Sequence, residues 1–155
     1  MSHVRSRSRS AARLAAVQAL YQQEMEGTPL PRLLKEFHDH RLGAVIEDEQ
    51  YYDAERDFFD DIVTGTDARR GEIDTLIAGR LAEGWTLERL DRPMRAILRA
   101  GAYELIARAD VPLASVISEY VDVAHAFVEK DETGMVNAVL DQIARQFRAD
   151  EFTRG

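Results

Sequence analysis

The chain has no cysteine. That excludes disulfides, thiolate metal sites and cysteine nucleophiles, and it suits the cytoplasm. No apolar run approaches the roughly 20 residues a membrane-spanning helix needs. The N-terminal arginines have no apolar stretch behind them, so they do not read as a secretory signal. Strand-type alternation is also missing. Every long periodic segment repeats at the helical period of 3.6. With 155 residues the chain can form one domain with a real core. These absences leave an all-α fold of about six or seven helices, with no internal repeat.

What is present is an uneven charge. The net charge is −8, which by itself argues against a nucleic-acid partner. Yet residues 1–23 hold Arg5, Arg7, Arg9 and Arg13 and no acid, so all 28 acidic residues lie beyond them. A basic tip on an acidic body suggests a local polyanion site. The alternative is a solvated tail that aids solubility. Residues 1–9 alternate serine and arginine and have no apolar face to bury. They are expected as a disordered basic tail, ahead of a single helical domain over 10–150.

The first helix is expected from Ser10, a capping residue, to Gly27, with Leu14, Val17, Gln18, Tyr21 and Met25 at helical spacing. Pro31 opens a second helix carrying Leu33, Leu34 and Phe37. Residues 42–50 read as a loop. A long helical stretch follows from Tyr51 and bends between Gly65 and Gly71. Trp85 and Leu87 fall in a short connection. Asp91 and Pro93 signal the next helix, which carries Met94, Ile97, Leu98, Gly101 and Leu105 inward and runs to about Ala109. Val111-Pro112 is a turn. Val116, Ile117, Tyr120, Val121, Ala124 and Phe127 form the next apolar face. Thr133 caps the last helix, whose inner side is Val136, Val139, Leu140, Ile143 and Phe147.

Catalytic signatures are absent. There is no glycine-rich dinucleotide loop, no Gly-Lys-Ser/Thr phosphate loop, no His-Glu-x-x-His and no Gly-x-Ser-x-Gly elbow. His38 and His40 are two apart and would face different ways on a helix. Asp122 and His125 share a face but lack the second pair a di-metal bundle requires, so His125 reads as solvated. Glu47-Asp48-Glu49 and Asp60-Asp61 lack calcium-loop spacing and read as solvated surface. No metal, cofactor or enzymatic activity is expected. Arg92, Arg95 and Arg99 stand three and four apart on one helix face. Such a row can track phosphates, or it can pair with the acidic body.

Four stretches together carry a family resemblance. They are Ala11-Ala12-Arg13-Leu14-Ala15-Ala16-Val17-Gln18-Ala19-Leu20-Tyr21; Ala96-Ile97-Leu98-Arg99 with Ala102-Tyr103-Glu104-Leu105; Asp110-Val111-Pro112 with Val116-Ile117-Ser118-Glu119; and Val136-Asn137-Ala138-Val139-Leu140-Asp141. In this order and spacing, from residue 9 to about 145, the chain resembles the NusB family of bacterial transcription antitermination factors. The resemblance implies two helical subdomains and no catalysis. It implies pairing with NusE, a small-subunit ribosomal protein, and binding of boxA single-stranded RNA in ribosomal RNA leaders. The resulting complex helps RNA polymerase resist termination. It places RNA contacts on Arg9 and Arg13, with Arg5 and Arg7 upstream, and on Arg95 and Arg99. It places the RNA and NusE surfaces near Tyr21, Met94, Asp131 and Met135. Ser10 and Ala11 stand where the family often has arginine, Met94 where it can have an acid, and Met135 where an aromatic can stack on a base. A monomer or a homodimer fits the resemblance. Four to six arginine–phosphate contacts imply a log–log salt slope of roughly −3 to −4. A NusB-like domain also fronts some ribosomal RNA cytosine methyltransferases, which is the alternative assignment.

Overall fold

The computed structural model describes residues 2–42 and 49–153, with side chains at 8–42, 55–129 and 132–152. It is all-helical among these residues, as the 3.6 periodicity predicts. The backbone divides into two units, Met1–Asp67 and Ala68–Gly155.

In the first unit, a run of good helix formers from Ala11 to Leu20 lies inside α1 (Ser2–Glu26). The helix starts eight residues earlier than its expected cap at Ser10, so residues 2–9, expected as a tail, form its first turns. Once Ala11–Leu20 has nucleated the helix, each upstream serine or arginine adds a backbone hydrogen bond at little cost. Gly27 stops it with a positive φ of 68°, a conformation that only glycine adopts without strain. The buried face is Ala12, Ala15, Ala16, Val17, Ala19 and Leu20, whereas Leu14, Tyr21 and Met25 are exposed. This corrects the sequence expectation. The small alanines admit close approach of the neighbouring backbone, and the bulky residues fall on the outer side.

Helix α2 (Leu30–His40) buries Leu33 and Phe37. Helix α3 (Glu49–Ala68) buries Phe58, Phe59, Ile62 and Val63. Phe37 stacks on Phe59 at 5.4 Å between ring centroids. The polar ties are Gln22 to Glu36 (3.2 Å), Gln23 to Asp67 (3.1 Å) and His38 to Asp60 (2.5 Å). His38 and Asp60 thus form a half-buried pair that links α2 to α3, where solvated surface was expected for Asp60. Most of the loop expected over 42–50, with the Glu47-Asp48 cluster, lies outside the described residues.

The second unit comprises α4 (Arg70–Ala78), a single 3-10 turn (Leu87–Arg89), α5 (Arg92–Ala107), α6 (Leu113–Phe127), α7 (Lys130–Phe147) and α8 (Ala149–Thr153). The break expected between Gly65 and Gly71 falls at Arg69, whose backbone leaves the helical region. Helix α5 packs on both α6 and α7. Gly101 makes this possible: a Cβ there would lie 2.9 Å from Leu140 Cδ1 and 3.3 Å from Tyr120 Cγ. The Tyr120 hydroxyl donates to the fully buried Glu104 carboxylate at 2.9 Å.

Arg148 closes the unit. Its side chain is 4% exposed and donates to the carbonyls of Leu105 (2.9 Å), Val111 (2.6 Å), Glu104 (3.3 Å) and Arg108 (2.6 Å), and to Glu151 (2.7 Å). Carbonyls at the end of a helix have no intrahelical partner, and Arg148 supplies one for the end of α5. Two local expectations differ. Helix α7 starts after Glu129, whose side chain makes no capping hydrogen bond, and Thr133, the expected cap, lies buried inside it. Phe127 and Phe147, expected inward, are both exposed, because each sits in the last turn of its helix.

Candidate nucleic-acid interface

In the first unit, Arg9 and Arg13 are one helical turn apart on α1. Both guanidinia lie over the ring of Phe58 on α3, at 5.0 and 5.1 Å from its centroid. The ring's negative face attracts each cation. Arg13 is 3% exposed and Arg9 is half-buried, so Arg9 is the more exposed of the pair. Ser8, one residue upstream, is buried, and its hydroxyl has no hydrogen-bond partner among the described residues. Arg5 and Arg7 belong to the first turns of α1, and their side chains lie outside the described residues. Tyr21 is 37% exposed on the same helix.

In the second unit, the arginine row of α5 has intrachain partners. Arg99 Nε and Nη2 donate to the two oxygens of Asp74 on α4, at 2.8 and 3.0 Å, with 11% of the side chain exposed. This is the bidentate geometry that a phosphate would otherwise occupy. Arg95 Nη1 donates to the carbonyl oxygens of Leu87, at 3.0 Å, and Leu90, which ties the 3-10 turn to α5. Each would reach RNA only by exchanging these acceptors for phosphate.

Met94 and Met135 come together in the second unit. They line a cleft of about 50 Å³ with Trp85, Arg89, Leu90, Asp91 and Glu132. Met94 is 1% exposed and forms the floor, so it is not the surface contact expected of it. Its α5 position faces the core because it precedes Ile97 and Leu98 by one turn on the same buried side. Met135 is half-buried on the wall. Asp131 belongs to the first turn of α7, and its side chain lies outside the described residues.

Two contributors were not singled out in the sequence as site residues. Phe58 reads as core, and it is buried, but it is also the platform for two arginines. Trp85 reads as part of a short connection; it is 41% exposed, with the Arg89 guanidinium 5.9 Å from its ring centre. The signal available was local: a tryptophan four residues before an arginine, in a turn where the two side chains meet. No group of three or more histidine or acidic residues able to hold a metal occurs among the described residues. No described helix is long and apolar enough to cross a membrane.

Comparison with known proteins supplies the context. The NusB family matches residues 10–145. A transcription antitermination protein NusB of Sphingopyxis alaskensis is 64% identical over 144 residues, covering 93% of this chain and 97% of that protein. The solved structure of T. maritima NusB superposes with a TM-score of 0.75 at 29% identity, covering 94% of this chain and 96% of that one. A chain from the crystal structure of the antitermination factors NusB and NusE in complex with double-stranded RNA shares the fold, with a TM-score of 0.72 at 24% identity over 91% of this chain and 98% of that one.

Proposed function

The chain belongs to the NusB family, and from that premise we propose that it is a transcription antitermination factor which binds boxA-type single-stranded RNA of ribosomal RNA leaders together with NusE. It acts without catalysis, in the cytoplasm, by joining a complex with RNA polymerase. The observation that carries this reading is the match along nearly the whole chain to antitermination proteins. The relatives it matches are named as antitermination proteins, which favours that role over a methyltransferase-associated one.

The electrostatics agree with it. An acidic chain can hold a polyanion only where cations gather without acids, and the first 23 residues are that place. Arg9, braced on Phe58, with Arg5 and Arg7 upstream, would hold phosphates, while Arg13 fixes the geometry of the pair. Arg95 and Arg99 join only by exchanging their present acceptors. Few phosphate contacts give weak binding by this chain alone, so a second protein that completes the site has a physical role. Tyr21, exposed on α1, is suited to contact it.

A mobility-shift titration with a boxA-like RNA, with and without NusE, tests the reading. Tighter and sequence-selective binding in the presence of NusE is expected. Equal, weak binding to any RNA in both conditions would overturn it.

A further inference from the structure

A buried ring on α3 lies against the cations through which α1 would meet RNA. We propose that Phe58 is a positioning residue for RNA binding: its ring sets the Arg9 and Arg13 guanidinia in one arrangement before RNA arrives, so that the phosphates of a single strand meet cations already ordered. The proposal rests on the RNA-binding reading above and deepens it by naming a residue that acts on affinity without touching RNA.

Spacing brings the two cations together. Arg9 and Arg13 are one turn apart on α1, so their side chains leave the same face and lean toward the helix N-terminus. Their guanidinium carbons lie 5.0 and 5.1 Å from the centroid of the same ring. Like charges at this spacing repel each other on a helix. The negative face of an aromatic ring offsets that repulsion, and more strongly where water is excluded. Water is excluded here, because Phe58 and Arg13 are each 3% exposed.

The ring is itself held in place. Phe58 belongs to the buried side of α3 with Phe59, Ile62 and Val63, and Phe59 stacks on Phe37 of α2. Further along the same two helices, Gln23 Nε2 on α1 donates to Asp67 Oδ1 on α3 at 3.1 Å. Helix α1 is thus tied to α3 at two places, and the arginines meet the ring at the first of them. A platform fixed in this way sets where the cations stand, rather than following them.

Ordering beforehand raises affinity. A long side chain that is mobile in the free protein loses its rotamer freedom when it grips a ligand, and that loss opposes binding. A guanidinium already laid on a ring has given up much of this freedom. The stack uses the flat face of the group, whereas phosphate is taken by N–H groups in its plane, so the two contacts are compatible. Phe58 therefore acts on RNA chiefly through Arg9, the more exposed of the two cations, with Arg13 fixed on the same ring.

The experiment titrates the full chain and Phe58→Leu with an end-labelled single-stranded RNA of roughly a dozen nucleotides, at several salt concentrations. Leucine keeps an apolar side chain in the site and removes the ring. Affinity should fall about threefold to tenfold, the worth of two cation–aromatic contacts. The plot of log affinity against log salt should run parallel to that of the unmodified chain, because no phosphate contact is lost. In a chain that already carries Arg9→Ala and Arg13→Ala, Phe58→Leu should leave affinity where it was. A fluorinated phenylalanine at position 58 keeps the shape of the ring and weakens its negative face, so it tests the contact even if leucine unfolds the chain. It should lower affinity by a smaller factor. Unchanged affinity with the fluorinated ring, or an equal fall for Phe58→Leu with and without the two arginines, overturns the positioning role and leaves the RNA-binding reading intact. No binding of single-stranded RNA by the unmodified chain, with or without NusE, overturns both.

Discussion

In α1, Arg9 and Arg13 lay their guanidinia against the ring of Phe58; in α5, Arg99 gives its guanidinium to Asp74 and Arg95 to two carbonyl oxygens. The difference lies in which part of the group is used. A stack engages the flat face, whereas hydrogen bonds engage the edge, and the edge is what a phosphate takes. The α1 arrangement holds two cations on one ring. The α5 arrangement holds a helix to its neighbours. Two rows with the same spacing thus pack differently, one against an aromatic ring and one against oxygen acceptors, and on the proposed function the first is the one that meets RNA.

The comparison can be broken by substitution, and the largest effect belongs to the second unit. Arg148 is the extreme of the architectural use, with four carbonyls and a carboxylate around one buried guanidinium. Arg148→Met should cost about 3 kcal/mol or more, because several buried acceptors lose their donor at once. Urea unfolding followed by far-UV circular dichroism measures this. Next comes Arg99→Ala. It strands a half-buried Asp74 and should cost about 1–3 kcal/mol, while RNA affinity of the folded protein stays unchanged as long as Arg99 keeps Asp74 and does not exchange it for phosphate. If stability holds and affinity falls, the division between the two rows is wrong.

Arg9→Ala should do the reverse. The loss of stability is about 1 kcal/mol or less, the worth of one partly exposed cation–aromatic contact, and the RNA affinity falls several-fold at low salt. The smallest effect is a pH dependence. Asp39 and Glu72 are held below their ordinary carboxylate range, by hydrogen bonds from Lys35 and Arg69 respectively. A carboxyl lowered in the folded state stabilises above its unfolded value and stops doing so as pH falls through its folded one. A slight loss of stability should therefore appear on acidification below about pH 4. Replacing Asp39 and Glu72 with asparagine and glutamine should remove that part of the profile.

Much of this molecule is legible in its sequence because helical periodicity reports burial. The inner faces of α5 and α7 read correctly at Ile97, Leu98, Leu105, Val136, Leu140 and Ile143. The failures have a common cause. On α1 the eye follows Leu14, Tyr21 and Met25, but close packing chose the alanines, and hydrophobicity alone does not measure distance between backbones. The start of α1 was set by propagation from a strong nucleus rather than by its cap. Charge proved less legible than burial. The sequence shows that Arg95 and Arg99 share a face, but the partners that engage them, Asp74 on α4 and the carbonyls around the 3-10 turn, are fixed by tertiary packing. Phe58 shows the same limit, since an aromatic reads as core until its neighbours are known.

The salt dependence of RNA affinity, measured side by side for the unmodified chain, Arg9→Ala and Arg99→Ala, tests the division of the two rows most directly. Each phosphate contact to single-stranded RNA adds roughly 0.7 to the slope of log affinity against log salt. The Arg9→Ala slope should be shallower by about that amount, and the Arg99→Ala slope should run parallel to the unmodified one. A parallel line for Arg9→Ala with a shallower line for Arg99→Ala would contradict the account.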